Sequence, residues 1–298
     1  MALEFVKDRD NPVAFYGRTL PARPASATVT FYDSSGTSLL TPTVTLASVG
    51  AAGSASVSSV TNQRVFVVDD ATGFVAGEHV WLDCADGWGG AVRLDEVAST
   101  TITLDAAPPG TIDTSAVVYP LKLTAIITAA SVDTVGKHHR LDWVVTDTDG
   151  ALHEFRQVAS VVRMQWADPV TDVDAKRYVA ANFTGWAASK TAGWFRDLAE
   201  RATDRVRQEI RAKADYPHMM GDQDAFRECG YVALRLELAH LSLVPGGVDA
   251  NDYADVQRRE LGRQIGLALA NTWVDRDDDG KVQADEVRGY GSIRLVRA

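Results

Sequence analysis

Apolar residues in this chain recur at every second position from about residue 25 to 165, and at every third or fourth position from about Trp194 onward. Side chains alternate faces along a strand and share a face three or four residues apart on a helix, so this switch constrains the fold more than any other feature. It predicts a multidomain β plus α chain. With 298 residues, more than one hydrophobic core usually organises, two or three domains are expected. The expected division is a discontinuous β-sandwich over 1–62 and 119–170, an inserted small β-barrel over 63–118, an antiparallel three-helix bundle over 171–274, and a calcium-type loop with a C-terminal arm over 275–298.

The β-type runs are short and separated by Gly, Asp and Ser turns. In Ala27 to Asp33, Val29 and Phe31 alternate with threonines and a tyrosine, and Ser34-Ser35-Gly36 turns the chain toward Thr41 to Ser48, which predicts a hairpin. Gly50 to Ser59 is mostly Gly, Ala and Ser and reads as a connection. Beyond it, Arg64 to Val68, His79 to Cys84, Ala91 to Ala98, Thr101 to Ala106 and Ala116 to Tyr119 suit a small five-stranded barrel. Leu121 to Thr128, Arg140 to Asp147 and Leu152 to Val162 resume longer strands, the last two joined through Thr148-Asp149-Gly150.

In the helical part, Phe195, Leu198, Ala199, Ala202, Val206 and Ile210 form one stripe. Tyr216-Pro217 ends that helix. Asp222 or Asp224 is placed to cap a second helix carrying Phe226, Cys229, Val232, Ala233, Leu236, Ala239 and Leu243, which Pro245-Gly246-Gly247 stops. Asp249 or Asn251 caps a third, with Tyr253, Val256, Leu261, Ile265, Ala268 and Leu269 on its apolar stripe.

One motif is specific. Residues 275 to 286 match the EF-hand loop at every defining position. Asp275, Asp277 and Asp279 supply carboxylates, Lys281 a backbone carbonyl, Gln283 a direct or water-mediated oxygen, and Glu286 a bidentate carboxylate. Gly280 allows the sharp turn and Val282 anchors the loop. Val287-Arg288-Gly289-Tyr290-Gly291 is a poor start for an exiting helix and no second loop follows, so a calcium ion here is expected to fasten structure rather than to signal. The bland reading is an acidic turn.

Other signals are weaker. A formal charge of −10 argues against a broad phosphate-binding surface. Cys84 and Cys229 lie far apart and read as small apolar residues. His138-His139 reads as a strand-end surface pair, and the other histidines stand singly. Most tryptophans read as packing residues, with Trp88, between Gly87 and Gly89, the candidate for an exposed contact. No nucleophile elbow, phosphate loop or dinucleotide fingerprint is present, so no enzymatic activity is expected. Neither a signal-type apolar stretch nor a run of membrane-spanning length occurs, and a soluble chain is expected. In the tail, Ile293, Leu295 and Val296 alternate with Arg288, Arg294 and Arg297, which suits a docking arm.

The helical segment Trp194 to Trp273, the acidic loop beginning Asp275-Arg276-Asp277-Asp278-Asp279-Gly280 and the short arm together resemble the head-tail adaptor, or head-completion, proteins of tailed bacteriophages. The inserted segment, with Val68-Asp69-Asp70-Ala71-Thr72-Gly73 and Thr101-Ile102-Thr103-Leu104, also looks like small β modules of phage structural proteins. The resemblance implies a ring of identical subunits joining the portal protein to tail or stopper proteins. It further implies that the arm inserts into the portal, that DNA passes through without sequence-specific binding, and that the protein resides in the virion after assembly in the host cytoplasm. Family adaptors are often smaller, so the β-rich half is a departure. The rival is a calcium-stabilised adhesion or carbohydrate-binding module of a phage tail or cell surface.

Overall fold

The computed structural model of the chain describes residues 3–47, 53–164, 168–212, 216–221, 223–245, 248–270 and 272–275. It is a mixed β and α structure, with a closed six-stranded barrel and five α-helices among the described residues. The strands begin with β1 (Leu3–Val6), β2 (Asn11–Tyr16), β3 (Pro24–Tyr32), β4 (Ser38–Leu40) and β5 (Thr45–Leu46). Next come β6 (Ala55–Asn62), β7 (Val65–Val68), β8 (His79–Asp83), β9 (Gly89–Ala98), β10 (Thr101–Leu104) and β11 (Val117–Pro120). Then follow β12 (Lys122–Ile127), β13 (Gly136–Asp147) and β14 (Leu152–Val162).

One sheet runs β1-β14-β13-β3-β4, and a second runs β2-β12-β5. Their facing side chains share a core: Phe5, Val29, Phe31, Leu141, Trp143, Val145 and Val161 from the first, and Val13, Phe15, Leu123, Ala125 and Ile127 from the second. Trp143 is fully buried, stacks on Phe15 at 5.5 Å and donates its indole N–H to Gln157 Oε1 at 2.9 Å, so its one polar atom is satisfied. The expected hairpin is corrected here. The partner of β3 is the short β4, while β5, inside the run Thr41 to Ser48, crosses to pair with β12 in the other sheet. The first two strands were not anticipated, and β1 lies parallel to β14 with Leu3 opposite Ala159.

The barrel closes in the order β10-β7-β6-β11-β8-β9. β7 and β10 bury alternate residues, Phe66 and Val68, Ile102 and Leu104, as a half-buried sheet requires, and β8 buries Val80 and Leu82 with Trp81 covered on its other face. Six strands rather than five complete it, because Ala55–Asn62, read as part of a connection, pairs with β7 and β11. Serines at its outward positions mask the alternation, while Ala55 and Val57 point into the core.

The helical part holds α1 (Asp172–Asn182), α2 (Thr184–Ala187), α3 (Ala192–Arg211), α4 (Arg227–His240) and α5 (Ala250–Ala270). The expected stripe of α3 is its buried face. Capping differs from expectation at α4, which follows a 3-10 turn over Gln223–Phe226 and whose N-cap residue Phe226 makes no side-chain cap bond. At α5 the cap is Asp249, whose Oδ1 accepts from the amides of Asn251 at 2.8 Å and Asp252 at 3.2 Å. α1 starts in a capping box between Thr171 and Asp174 and buries Ala175 and Val179. A two-stranded ribbon pairs β15 (Met219–Gly221), which precedes α4, with β16 (Thr272–Val274), which follows α5. No described helix is long and apolar enough to cross a membrane.

Candidate functional site

The β15–β16 ribbon fixes the first residue of the acidic motif. Asp275 N donates to His218 O at 3.0 Å, and His218 Nδ1 lies 3.1 Å from Asp275 O, the distance of a ring N–H donating to that carbonyl. The Asp275 carboxylate is fully buried and meets Arg163 Nη2, at the end of β14, at 2.7 Å through Oδ2. The all-oxygen donor set of the motif fits a hard cation in kind, but its first carboxylate is already shared with a guanidinium. Asp277, Asp279, Lys281, Gln283 and Glu286 lie outside the described residues, as do the arm residues Arg288, Ile293, Arg294, Leu295, Val296 and Arg297. Among the described residues, no group of three or more His, Cys, Asp or Glu is placed to hold a metal.

Two polar joints tie the helices to the β-rich half. At the start of α3, Gly193 N donates to Asp95 Oδ1 of β9 at 2.7 Å, inside a buried contact, and Arg93 Nη1 meets Asp197 Oδ1 at 2.5 Å. A helix N-terminus carries unpaired amides and partial positive charge, so a carboxylate brought from another element satisfies it. A side chain at 193 would force Asp95 to shift, because a Cβ there would stand 2.6 Å from Asp95 Oδ1 and 3.2 Å from Asp105 Oδ1. At the other end, Glu4 of β1 accepts from Arg211 Nη2 at 2.7 Å and from the Tyr216 hydroxyl. Burial and the neighbouring Glu4 carboxylate hold the Tyr216 phenol well above its ordinary range.

A third feature lies between α4 and α5. A groove of about 470 Å³ is lined by Arg235, Val256, Gln257, Arg259, Glu260 and Arg263. Arg263 donates to both Glu260 oxygens, at 2.5 and 2.8 Å, and Gln264 adds a bond at 2.8 Å, which drives the Glu260 carboxyl down to about 2. The groove's one acid is therefore consumed, and among the described residues Arg235 and Arg259 enter no ion pair. Arg235 Nε is buried without a hydrogen-bond partner, and so is Oε1 of Gln257, a residue only 7% exposed. None of these residues was singled out from sequence. The available signal was a polar residue, Gln257, three after Ala254 and four before Leu261 on a buried stripe, with Arg259 and Arg263 one turn apart beside it.

Two surface assignments are corrected. Trp88 is half-buried and folds back over the barrel core, its ring so close to Gly90 and Gly110 that neither has room for a Cβ. His139 is 7% exposed and stacks on Phe31 at 5.5 Å, because a bulge between Gly136 and His139, with His138 at φ 67°, turns its ring inward. Desolvation lowers its pKa. Cys84 and Cys229 are free and buried, and burial raises their thiols to about 11 and about 12.

Neither a protein-family model nor a curated protein sequence matches the chain. Among solved structures it is similar to a chain named pT26-6p, at 10% identity, over 89% of this chain and 47% of that one, with a TM-score of 0.14. The chain thus spans about half the length of that neighbour, and a likeness so slight carries no argument about fold or function.

Proposed function

We propose that this chain is a non-catalytic assembly protein, a subunit of a head-tail adaptor ring that joins the portal to the tail of a phage virion. In this reading the two sheets around Trp143 are a β-sandwich interrupted by the barrel, and α3, α4 and α5 are the expected bundle with α1 added against α3. The subunit assembles in the host cytoplasm, sits in the virion beside its own copies and the tail or stopper proteins, and lets DNA pass without reading it. Calcium at Asp275, Asp277, Asp279, Lys281, Gln283 and Glu286 fastens the start of the arm that enters the portal.

The observation that supports the reading is the outer side of α5. Val256 and Leu267 are 56% and 51% exposed there among Arg259, Glu260 and Arg263, and open space lies beyond Gly262 and Gly266, so α5 keeps a mixed apolar and charged side that its own core does not use. A ring subunit needs such a side, because closure by rotation joins two different surfaces of identical copies. Capture of the chain by purified portal, together with rings in electron micrographs, is the expected result. The same chain ending at Val287 is expected to lose capture while keeping its melting temperature. Absence of portal capture by the full chain overturns the reading. Calorimetric titration tests the metal separately, with one calcium per chain expected and no heat at millimolar calcium overturning that part.

A further inference from the structure

We propose that the groove between α4 and α5 receives the acidic segment 276–280 of a second copy of this chain, with Asp278 as the anchoring carboxylate. This rests on the reading that copies associate through α5 and names the contact. Among the described residues the groove displays two arginines without an ion pair and two buried polar atoms without a hydrogen bond, Arg235 Nε and Gln257 Oε1. A desolvated guanidinium N–H calls for an anion, and a buried amide oxygen calls for a donor. A peptide carboxylate flanked by backbone N–H groups offers both at once, whereas inorganic phosphate offers few donors for Gln257.

Charge and spacing select the occupant. The densest carboxylate run in the chain is Asp275 to Asp279, and in the calcium-loop spacing Asp278 alone among its aspartates is not a ligand. Asp275 is held by Arg163 and His218 in its own copy. By that spacing a bound calcium ion takes the other carboxylates as ligands and leaves Asp278 over. A groove that receives a segment of another copy makes each copy both donor and receiver, a pattern that closes a ring as well as a two-fold pair.

Sedimentation of the full chain over a range of concentrations tests the contact. Salt-sensitive self-association is expected for the wild type. Arg259→Glu and Asp278→Arg are each expected to lower the association constant by about thirtyfold or more, the effect of breaking one desolvated charge pair. The two together are expected to restore it. Gln257→Leu, an apolar side chain at a buried position, is expected to fold and to weaken association too. A labelled peptide covering 275–280 is expected to bind the wild type and not Arg259→Glu, while inorganic phosphate does not displace it. A wild-type chain that stays monomeric at all concentrations, or a double variant no better than the singles, overturns the contact. Portal capture by such a chain leaves the adaptor reading standing, and rescue by the charge swap without portal capture does the reverse.

Discussion

At its first turn α3 gives a backbone amide to a barrel carboxylate, whereas at its last turn it gives a guanidinium to a carboxylate of β1. The first joint needs an absence, the missing side chain of Gly193, and draws on the partial charge of the helix end. The second needs three side chains, Glu4, Arg211 and Tyr216, and depends on the Tyr216 phenol keeping its proton. The helical, two-sheet and barrel cores are three separate apolar clusters. Val162 of β14 is buried in the helical core, and ionic and hydrogen-bonded contacts add to that apolar seam in coupling the parts.

The comparison breaks most readily at Glu4. Its carboxylate is 4% exposed, and Glu4→Leu leaves Arg211 without its anion, so a loss of about 3 kcal/mol is expected in urea denaturation. A loss below about 1 kcal/mol would show that the C-terminal joint is ornamental. Gly193→Ala forces a methyl group onto Asp95 and is expected to lose about 2 kcal/mol, although alanine is the better helix former. Should Gly193→Ala instead stabilise the protein, the carboxylate is not held as closely as the geometry requires. Asp95→Asn keeps an acceptor for Gly193 N and loses only the charge, so less than about 1 kcal/mol is expected.

The smallest effect separates the joints by pH. The Tyr216 phenol is raised in the folded state from an ordinary value of 10.0, so its contribution is full below pH 10 and declines as pH rises toward the folded value. Melting curves between pH 9 and 11, approximate bounds set around the ordinary tyrosine range, are expected to fall more steeply for the wild type than for Tyr216→Phe. Equal slopes would remove Tyr216 from the joint.

Much of the architecture was legible in the residues. The 3.6 period of α3 marked its buried face from Phe195 to Ile210, and the Asp-Gly turn at Asp149-Gly150 marked the β13–β14 hairpin. Ala55–Asn62 escaped because serines occupy its outward positions, and α1 escaped because it buries only Ala175 and Val179. The destination of β5 was not legible, since two residues carry too little pattern to choose between sheets. The joints were beyond reach for another reason. Asp95 and Gly193 are 98 residues apart and Glu4 and Arg211 are 207 apart, and no local period reports pairs at such separation. At the α4–α5 groove, the polar residue on a buried stripe was visible, but its meaning required knowing that no partner comes to it.

The parallel pairing of β1 with β14 bears on how the chain is made. During synthesis Leu3–Val6 leaves the ribosome before the backbone it pairs with, Ala159–Val162, which emerges on the order of ten seconds later at ordinary elongation rates, and Arg211 later still. The barrel strands from Ala55 to Pro120 form a contiguous stretch and can close in that interval. The opening segment thus waits as an unpaired, partly apolar strand while the barrel folds beside it. Its docking is a late event in biogenesis, one that completes the edge of the large sheet and latches the last turn of α3 in the same step.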